Sequence, residues 1–476
     1  MLPFANFSSR RNWLRGTACG FGSLAAAGLS NPSPTVAASV GNKLAPHFEP
    51  SAKRIIFLFM QGGVSQVDSF DHKPLLGERD GEMHGFDDAR NFANKGELGT
   101  SQRIMNSPWK FTQHGQSGRW VSELFPQVAQ HVDDLCFIHS MHTDGVAHGP
   151  STLFLHCGAT SFVRPSFGSW LLYGLGTENE NLPGFVSISP SIGNGGPRNY
   201  GSAFLPAINQ GTPIGSANPS SQELTIRNLQ PTSGATRQQR EQLDLLQSIN
   251  QAQLQNRGKD SEWEAVLESY ELAWRMQSVA PEVLDVSNES PDTLAMYGVG
   301  EKETNGFGRK CLLARRLCEA GVRFVQVNYG DNSANPAWDQ HSNLPKHADH
   351  AKAVDLPIAG LLADLKQRGL LEDTIVWWGG EFGRTPYAQK NGTGRDHNPG
   401  GFTTWLAGGG VRPGFAYGAT DEFGHKAIVD KVHMHDLHAT LLHMLGLDHE
   451  RLTYRYAGRN FRLTDVHGRV IDSILS

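Results

Sequence analysis

The sequence predicts an α/β protein with a doubly wound, mostly parallel sheet that is flanked by helices. Arg54 to Met60 is a nearly continuous apolar run that ends at Gly62 and Gly63, as buried central strands do. Two later stretches, 311–327 and 355–378, each place a helical apolar pattern, a glycine and an apolar run in that order. Strands that alternate with helices in this way favour a parallel sheet with helices on its faces.

The composition argues against several classes of protein. The 476 residues are 38% hydrophobic and 19% charged, and no apolar run approaches the roughly 18 residues of a membrane span. With 42 basic and 47 acidic side chains the formal net charge is -5, so charge gives no indication of nucleic-acid binding. Five cysteines without a CxxC pair indicate neither a zinc ribbon nor a disulfide scaffold, and we expect buried thiols, with one bridge allowed.

The N-terminal segment resembles a twin-arginine export signal. Arg10 and Arg11 are followed by bulky residues, a Gly/Ala-rich stretch over 16–29 and small residues at 36–38. We therefore expect a signal peptide over 1–38, a spacer over 39–50 and export to the periplasm or beyond. The alternative is a disordered basic terminus.

From residue 51 to 476 we expect a single domain. Further strands are predicted at 135–139, 184–187 and 402–406, and the last helix at 436–444, with Asp436 as its cap. A segment over about 205–300, rich in Gln, Ser and Asn, is predicted to be a helical insertion. Its aromatic stripe, which includes Trp263 and Trp274, indicates a helical hairpin packed onto the sheet rather than a ligand site.

Histidines cluster along the chain in a way that scattered surface residues would not. Of the 20 histidines, five lie in 131–156, three in 341–350, one at 397 and six in 425–449. Several of these stretches follow a predicted strand, and open α/β sheets bind their ligands at the carboxyl ends of the strands. A metal site assembled from several loops fits that geometry.

Two loops after predicted strands carry ligand types. Asp339 and His341, two residues apart, can converge on one ion, although ordinary loop hydrogen bonds explain such a pair equally well. Glu381 lies among glycines just beyond an apolar strand, and Arg384 follows it with a fork-shaped anion donor. A structural salt bridge between Glu381 and Arg384 is the competing interpretation.

Two further segments suit anions or metals. Arg395 and His397 form a compact set just before the strand predicted at 402–406. The turn after the first strand contains Gly62, Gly63 and Ser65, whose backbone N–H groups are candidates for an anion-binding nest. A tight turn that needs glycine for backbone reasons explains the same residues equally well.

Five motifs together resemble one family. The sequence is similar, from about residue 53 to the C-terminus, to a bacterial family of domains of unknown function numbered 1501, which is grouped with the sulfatase and alkaline phosphatase superfamily. The resemblance is carried by the segments 61–74 (QGGVSQVDSFDHKP), 379–386 (GGEFGRTP), 394–397 (GRDH), 406–410 (LAGGG) and 436–446 (DLHATLLHMLG).

The resemblance implies an alkaline phosphatase/sulfatase-like domain that hydrolyses sulfate or phosphate esters with a divalent metal ion such as Zn, Ca or Mn. It implies metal ligands at Asp339, His341, Glu381 and His397. Arg384 or Arg395 would balance charge on the transferred group. The substrate would be a small-molecule or polysaccharide ester.

Several positions depart from the superfamily pattern. Gln61 stands where a metal-binding Asp is usual, and Phe382 replaces a usual metal-binding histidine. His148 occupies the nucleophile position, which excludes a formylglycine there, and it would bind metal or be phosphorylated instead. Ser151, one turn into the helix, is a substitute nucleophile or only a capping residue. These departures keep open an alternative function, a non-catalytic exported protein that binds a glycan or a partner.

Overall fold

The computed structural model describes residues 45–87, 100–217, 224–226, 229, 236–257, 261–389 and 392–476. The signal peptide and most of the spacer that the sequence predicts lie outside these residues, as does Cys19. The side chains of 261–265, which include Trp263, are likewise outside the description.

Ten α-helices lie within the described residues. In chain order they are α1 Gln66–Ser69, α2 Pro74–Glu78, α3 His148–Cys157, α4 Phe167–Leu175, α5 Thr236–Arg257, α6 Ser261–Leu284, α7 Pro291–Met296, α8 Asn305–Glu319, α9 Lys346–Gln367 and α10 Met434–Met444.

The strands of the described residues form one large sheet and several small ribbons. In chain order they are β1 Arg54–Met60, β2 Met83–Phe86, β3 Thr100–Arg103, β4 Phe111–His114, β5 Arg119–Ser122, β6 Leu135–His142, β7 Phe185–Ile188, β8 Thr212–Ile214, β9 Phe324–Tyr329, β10 Thr374–Gly379, β11 Gly383–Ala388, β12 Arg395–Asn398, β13 Phe402–Ala407, β14 Phe415–Tyr417, β15 Ala419–Thr420, β16 Ala427–Val429, β17 Val432–His433, β18 Tyr454–Tyr456 and β19 Arg459–Phe461.

The large sheet is mixed and mostly parallel. Its order is β14-β6-β13-β10-β1-β9-β7-β8, and β17 also pairs with β6. β1 runs parallel to β9 and β10, while β13 is antiparallel to both of its neighbours, β10 and β6. Because two antiparallel steps restore the direction, β6 points the same way as β1, and the carboxyl ends of β1, β6, β9 and β10 lie at one edge of the sheet.

Side chains of β1 alternate between two hydrophobic cores. Ile56, Leu58 and Met60 face a core that also contains α8 and α9, whereas Phe57 and Phe59 face a second core built with α3, α4 and α10. This period of two on a strand buried on both faces is what a central strand of a layered α/β protein requires. The prediction of a doubly wound, mostly parallel sheet is therefore confirmed.

Several predicted elements differ from the structure in their bounds. The last helix begins at Met434 rather than Asp436: His433 is the N-cap, and Asp436 completes the capping box by accepting from the His433 N–H at 3.0 Å. The antiparallel direction of β13 was not predicted. No described helix has the length and apolar character needed to cross a membrane.

The predicted hairpin of the insertion is present as α5 and α6. Arg240 on α5 donates to Glu271 on α6 at 2.9 and 3.0 Å and lies over the ring of Trp274. Met276 and Ala280, in the C-terminal half of α6, join the core that contains α8, while Tyr270 is 44% exposed. All four cysteines among the described residues are buried free thiols, so these residues contain no disulfide.

Candidate metal centre

The predicted ligand residues meet at the edge of the sheet where four strands end. Asp339 and His341 lie in the loop after β9, and Glu381 follows β10 directly. His148 begins α3 after β6, and His397 lies on β12, which pairs with β11 beyond β10. Residues up to 249 positions apart in the chain (148 to 397) therefore come together, because β6, β9 and β10 end at one edge of the sheet and the β11–β12 ribbon follows β10.

Three imidazoles surround one carboxylate. The Nε2 atoms of His341 and His397 lie 2.9 and 3.2 Å from Asp339 Oδ1, and the His148 Nε2 atom lies 3.1 Å from Asp339 Oδ2. The Nε2 atoms of His341 and His397 are 3.0 Å apart. One ligand atom from each of the four residues lies within 4.8 Å of all the others, so the cluster of His148, Asp339, His341 and His397 could hold a metal ion.

The outer nitrogen of each histidine has an acceptor of its own. The Nδ1 atom of His148 lies 2.7 Å from Glu381 Oε1, that of His341 lies 2.9 Å from Gln389 Oε1, and that of His397 lies 3.0 Å from the Val146 carbonyl. Since these acceptors have no proton to give, each Nδ1 carries the proton, and the Nε2 lone pairs face the centre of the cluster.

This arrangement fits a bound cation. Three imidazole lone pairs and a carboxylate converge, and the buried atoms His148 Nε2 and Asp339 Oδ2 make no hydrogen bond. Buried polar atoms normally have a partner, and a cation at the centre of the cluster would supply one for both of these atoms. Three nitrogens and one carboxylate oxygen are a ligand set of the zinc type, with Nδ1 partners that orient the rings.

The electrostatics of the cluster favour a positive charge. Burial acts to raise the pKa of Asp339, but contacts with His148, His341, His397 and Arg384 hold the pKa of that carboxyl far below its usual range. Burial acts to lower the pKa of His148, yet the carboxylates of Asp339 and Glu381 raise it overall. The same attraction that holds a proton on His148 would hold a metal ion.

Glu381 lies behind His148 rather than among the ligand atoms, which differs from the predicted ligand set. Its fully buried carboxylate accepts from the Gly62 N–H at 2.9 and 3.1 Å and from His148 Nδ1. The turn of Gly62 and Gly63 does bind an anion, as the sequence suggested, but that anion is the chain's own Glu381. Gly62 has a φ of 112°, and a Cβ there would lie 2.8 Å from the backbone nitrogens of Trp338 and Asp339.

The two predicted anion-binding arginines are buried and already used. Arg384 donates to Asp339 Oδ1 at 2.7 Å and to the carbonyls of Gly62 and Gly63. Arg395 donates to both carboxylate oxygens of Asp68, at 2.7 and 3.0 Å, and neither side chain of that pair is exposed. The donors of both guanidinium groups therefore face protein acceptors, so neither group has a donor directed at a transferred group in this structure.

The two serines singled out in the sequence, Ser65 and Ser151, differ in their hydrogen bonding. The Ser65 hydroxyl donates to Asp68 at 2.5 Å, and its backbone N–H donates to His347, so the nest predicted to include Ser65 is closed by the protein. The Ser151 hydroxyl is buried without a hydrogen bond, beneath Gly145, where a Cβ would lie 2.2 Å from it.

Phe382, which stands where a metal-binding histidine is usual, packs against two of the clustered histidines. Its ring stacks on His397, with centroids 4.3 Å apart, and lies 5.1 Å from His148. Gln389 and Val146 were not predicted as Nδ1 partners, and His148 was predicted at the nucleophile position, with metal binding as an alternative. The signal for His148 was its place at the start of a helix directly after a buried strand.

The sequence matches one protein family over nearly all of the domain. Residues 52–475 match the family described as protein of unknown function (DUF1501). The chain belongs to this family. No curated protein matches the chain.

Solved structures similar to this DUF1501 protein include sulfatases and alkaline phosphatases. Ps i-CgsB in complex with k-i-k-neocarrahexaose is 11% identical, with 83% of this chain and 72% of that chain covered and a TM-score of 0.35. A TAB5 alkaline phosphatase mutant with Mg in its M3 site is 12% identical, with 84% and 99% covered and a TM-score of 0.35. The PsFucS1 sulfatase from Pseudoalteromonas sp. is 12% identical, with 87% and 69% covered and a TM-score of 0.35. Because these TM-scores are low, the fold is assigned from the strand order and strand directions of the large sheet.

Proposed function

We propose that this protein is a metal-dependent hydrolase of sulfate or phosphate esters. One observation carries the proposal: three histidines have their Nδ1 protons fixed by separate acceptors, so that their Nε2 lone pairs converge on the Asp339 carboxylate. A cation at the centre would give these inward Nε2 atoms and the carboxylate a common partner, as buried polar atoms require.

The donor set supports zinc or manganese rather than calcium. Imidazole nitrogens suit zinc, and a carboxylate suits both zinc and manganese, whereas calcium takes six to eight oxygen ligands. The cluster is buried except at His341, whose side chain is 21% exposed, against 9% for His148 and 4% for His397. A substrate would therefore approach from the side of His341.

The chain's residues bind and orient, and the cation supplies the chemistry. When bound, a divalent cation acts as a Lewis acid on the ester and lowers the pKa of water. Glu381 fixes the His148 ring and adds negative charge behind it, and Arg384 holds the Asp339 carboxylate in place. In the overall reaction water adds across the S–O or P–O bond, so the alcohol leaves with one proton and the sulfate or phosphate takes the hydroxyl.

The second candidate function is binding without catalysis. It is favoured by the engagement of Arg384, Arg395 and Ser65 with other protein groups, because these were the residues predicted to contact the transferred group. In that case the cluster would be a structural metal site that ties four loops together, and the protein would bind a glycan or partner.

Elemental analysis combined with an ester panel separates these functions. We expect about one zinc or manganese per chain in the purified protein, lost in Asp339→Ala and His397→Ala but retained in the control His449→Ala, another buried histidine. Metal-dependent release of sulfate or phosphate from aryl esters supports the hydrolase. Stoichiometric metal without any release supports the binding function, and a metal-free, chelation-insensitive protein contradicts both metal assignments.

A further inference from the structure

A second candidate site lies in the region that follows β1. The Asp68–Arg395 pair lies between this site and the metal centre. A surface cavity of about 550 Å³ is lined by α2 and by the segment 106–112. His72 forms a wall of this cavity and also lines a smaller cavity of about 140 Å³. The two cavities are therefore neighbours that share one aromatic wall.

The shared wall presents flat aromatic faces. The His72 ring stacks on Phe111, with centroids 4.8 Å apart and an interplanar angle of 21°, and contacts Trp120 at 4.4 Å. Trp120 is 41% exposed, although large aromatic side chains are usually buried in a core. Aromatic faces at the surface that are held in place by stacking provide rigid contact area for a ring-shaped ligand.

The larger cavity is positively charged. Among the described residues that line it, two are lysines and none is Asp or Glu. Lys73 is paired with Asp71 at 3.0 Å, whereas the exposed Lys110 makes no ion pair within the described residues. An ammonium without an ion pair, in a cavity whose described lining includes aromatic rings and no carboxylate, favours an anionic ligand.

The cavity is built on the same scaffold as the metal centre. The Asn106 carbonyl, at its wall, accepts from Arg395 at 3.2 Å, and Arg384 donates to the Arg395 carbonyl at 3.3 Å and to Asp339. Trp109, which also lines the cavity, stacks on His347, with ring centroids 6.3 Å apart. The position of the cavity wall is thereby fixed relative to the cluster.

We propose that this cavity binds an anionic oligosaccharide, with a sulfate or carboxylate group at Lys110 and a sugar ring against the His72–Phe111 stack. As the substrate class of the hydrolase, this inference rests on the proposed function; as a binding site, it rests on the cavity alone. A nucleic acid is the less suitable polyanion, because its phosphates need several cations in a row, and the described lining of the 550 Å³ cavity offers one unpaired lysine.

Calorimetric titration of the whole protein tests the proposal. The probes are a sulfated hexasaccharide, its desulfated counterpart, a uronate hexasaccharide and a single-stranded oligothymidylate of similar length. We expect the sulfated or the uronate probe to bind at least tenfold more tightly than the neutral one, with affinity that falls as salt rises. Lys110→Glu is expected to weaken this binding about tenfold, and Phe111→Ala at least threefold.

The matched control is Lys352→Glu, an exposed lysine on α9, which should change the affinity less than twofold. Circular dichroism confirms that each variant is folded. Equal binding of the neutral probe, tighter binding of the oligothymidylate, an unchanged affinity in Lys110→Glu, or no binding up to about 1 mM of the anionic sugars would each overturn the proposal. Hydrolysis is measured separately in the same samples, so bound but uncleaved sugar counts against the hydrolase and leaves the binding site intact.

Discussion

At the scale of single residues, the metal centre depends on the groups behind its ligands. His148, His341 and His397 have three different Nδ1 acceptors: a carboxylate, an amide oxygen and a backbone carbonyl. Only the Glu381 carboxylate carries a charge, so it increases the basicity of its histidine most. Because the Glu381 carboxylate is buried and held by the Gly62 N–H, neither solvent nor movement of the side chain readily offsets its charge.

Replacement of Glu381 tests this dependence. Glu381→Gln keeps the size and one acceptor oxygen but removes the charge, so we expect the affinity for zinc to fall about 10- to 100-fold. Competition with a chromophoric chelator measures the change. Glu372→Gln, an exposed position in the turn before β10, serves as the control and should leave the affinity unaltered. An equal affinity in Glu381→Gln would mean that the charge behind His148 has no influence on the metal.

The sequence predicted which residues lie at the site, but not which of them are ligands and which lie behind the ligands. Asp339, His341, Glu381 and His397 were predicted as ligands from the family resemblance, and each lies beyond or before a predicted strand. Arg384 lies beyond the same strand as Glu381, yet both side chains face Gly62, Gly63 and their neighbours. Which of two adjacent polar side chains points at an ion depends on the contacts of a distant turn, and local sequence does not encode that contact.

At the scale of elements, local patterns found the buried strands and missed what distant pairing adds. β6 was predicted to end at residue 139 but continues to His142, because β17 pairs with its last two residues, Met141 and His142. β13 has an apolar sequence suited to either direction, and its antiparallel pairing follows from the route of the chain through β11 and β12. Strand direction is thus a property of connections rather than of composition.

One buried carboxylate links two elements and makes their packing sensitive to pH. Asp355 on α9 accepts from the backbone N–H groups of Gln127 and Val128, both at 2.8 Å, at the start of the 3-10 helix Val128–Asp134. Burial raises the pKa of Asp355 from 3.8 to about 6, although these two hydrogen bonds act to lower it. The folded protein therefore binds this proton more tightly than the unfolded chain does.

The sign of the pH effect follows from that difference. As the pH falls from about 6 to about 4, protonation of Asp355 stabilises the fold, by about 3 kcal/mol at most; above pH 6 the buried charge is a cost. Asp355→Asn lacks this contribution. Relative to the parent, the free energy of unfolding of the variant should therefore be higher at pH 7.5 than at pH 4.5. Urea unfolding of metal-free protein at both pH values measures it. Asp349→Asn, exposed on the same helix, is the control, and a stability difference independent of pH would contradict the assignment.

At the scale of the whole molecule, one sheet edge gathers the chemistry of a chain whose relevant residues run from 62 to 397. β1, β6, β9 and β10 end together there, and each is followed by a turn, loop or helix start that contributes to the centre. The hydrophobic cores on both faces of the sheet fix the strand ends, so the loops begin from defined positions. A centre made of four separate segments can form only after the sheet has folded.

That requirement connects the metal centre with the predicted route of export. A centre assembled from distant segments is best filled where the metal supply is controlled, and the twin-arginine pathway carries proteins that have already folded. Replacement of both Arg10 and Arg11 by Lys should therefore leave full-length, metal-containing protein in the bacterial cytoplasm, with none in the periplasm. Arg15→Lys, outside the pair, should be exported and shortened at about residue 38 like the parent. Cell fractionation, intact mass and metal content of each fraction measure this, and periplasmic protein of shortened mass from the Arg10/Arg11 variant would contradict twin-arginine export.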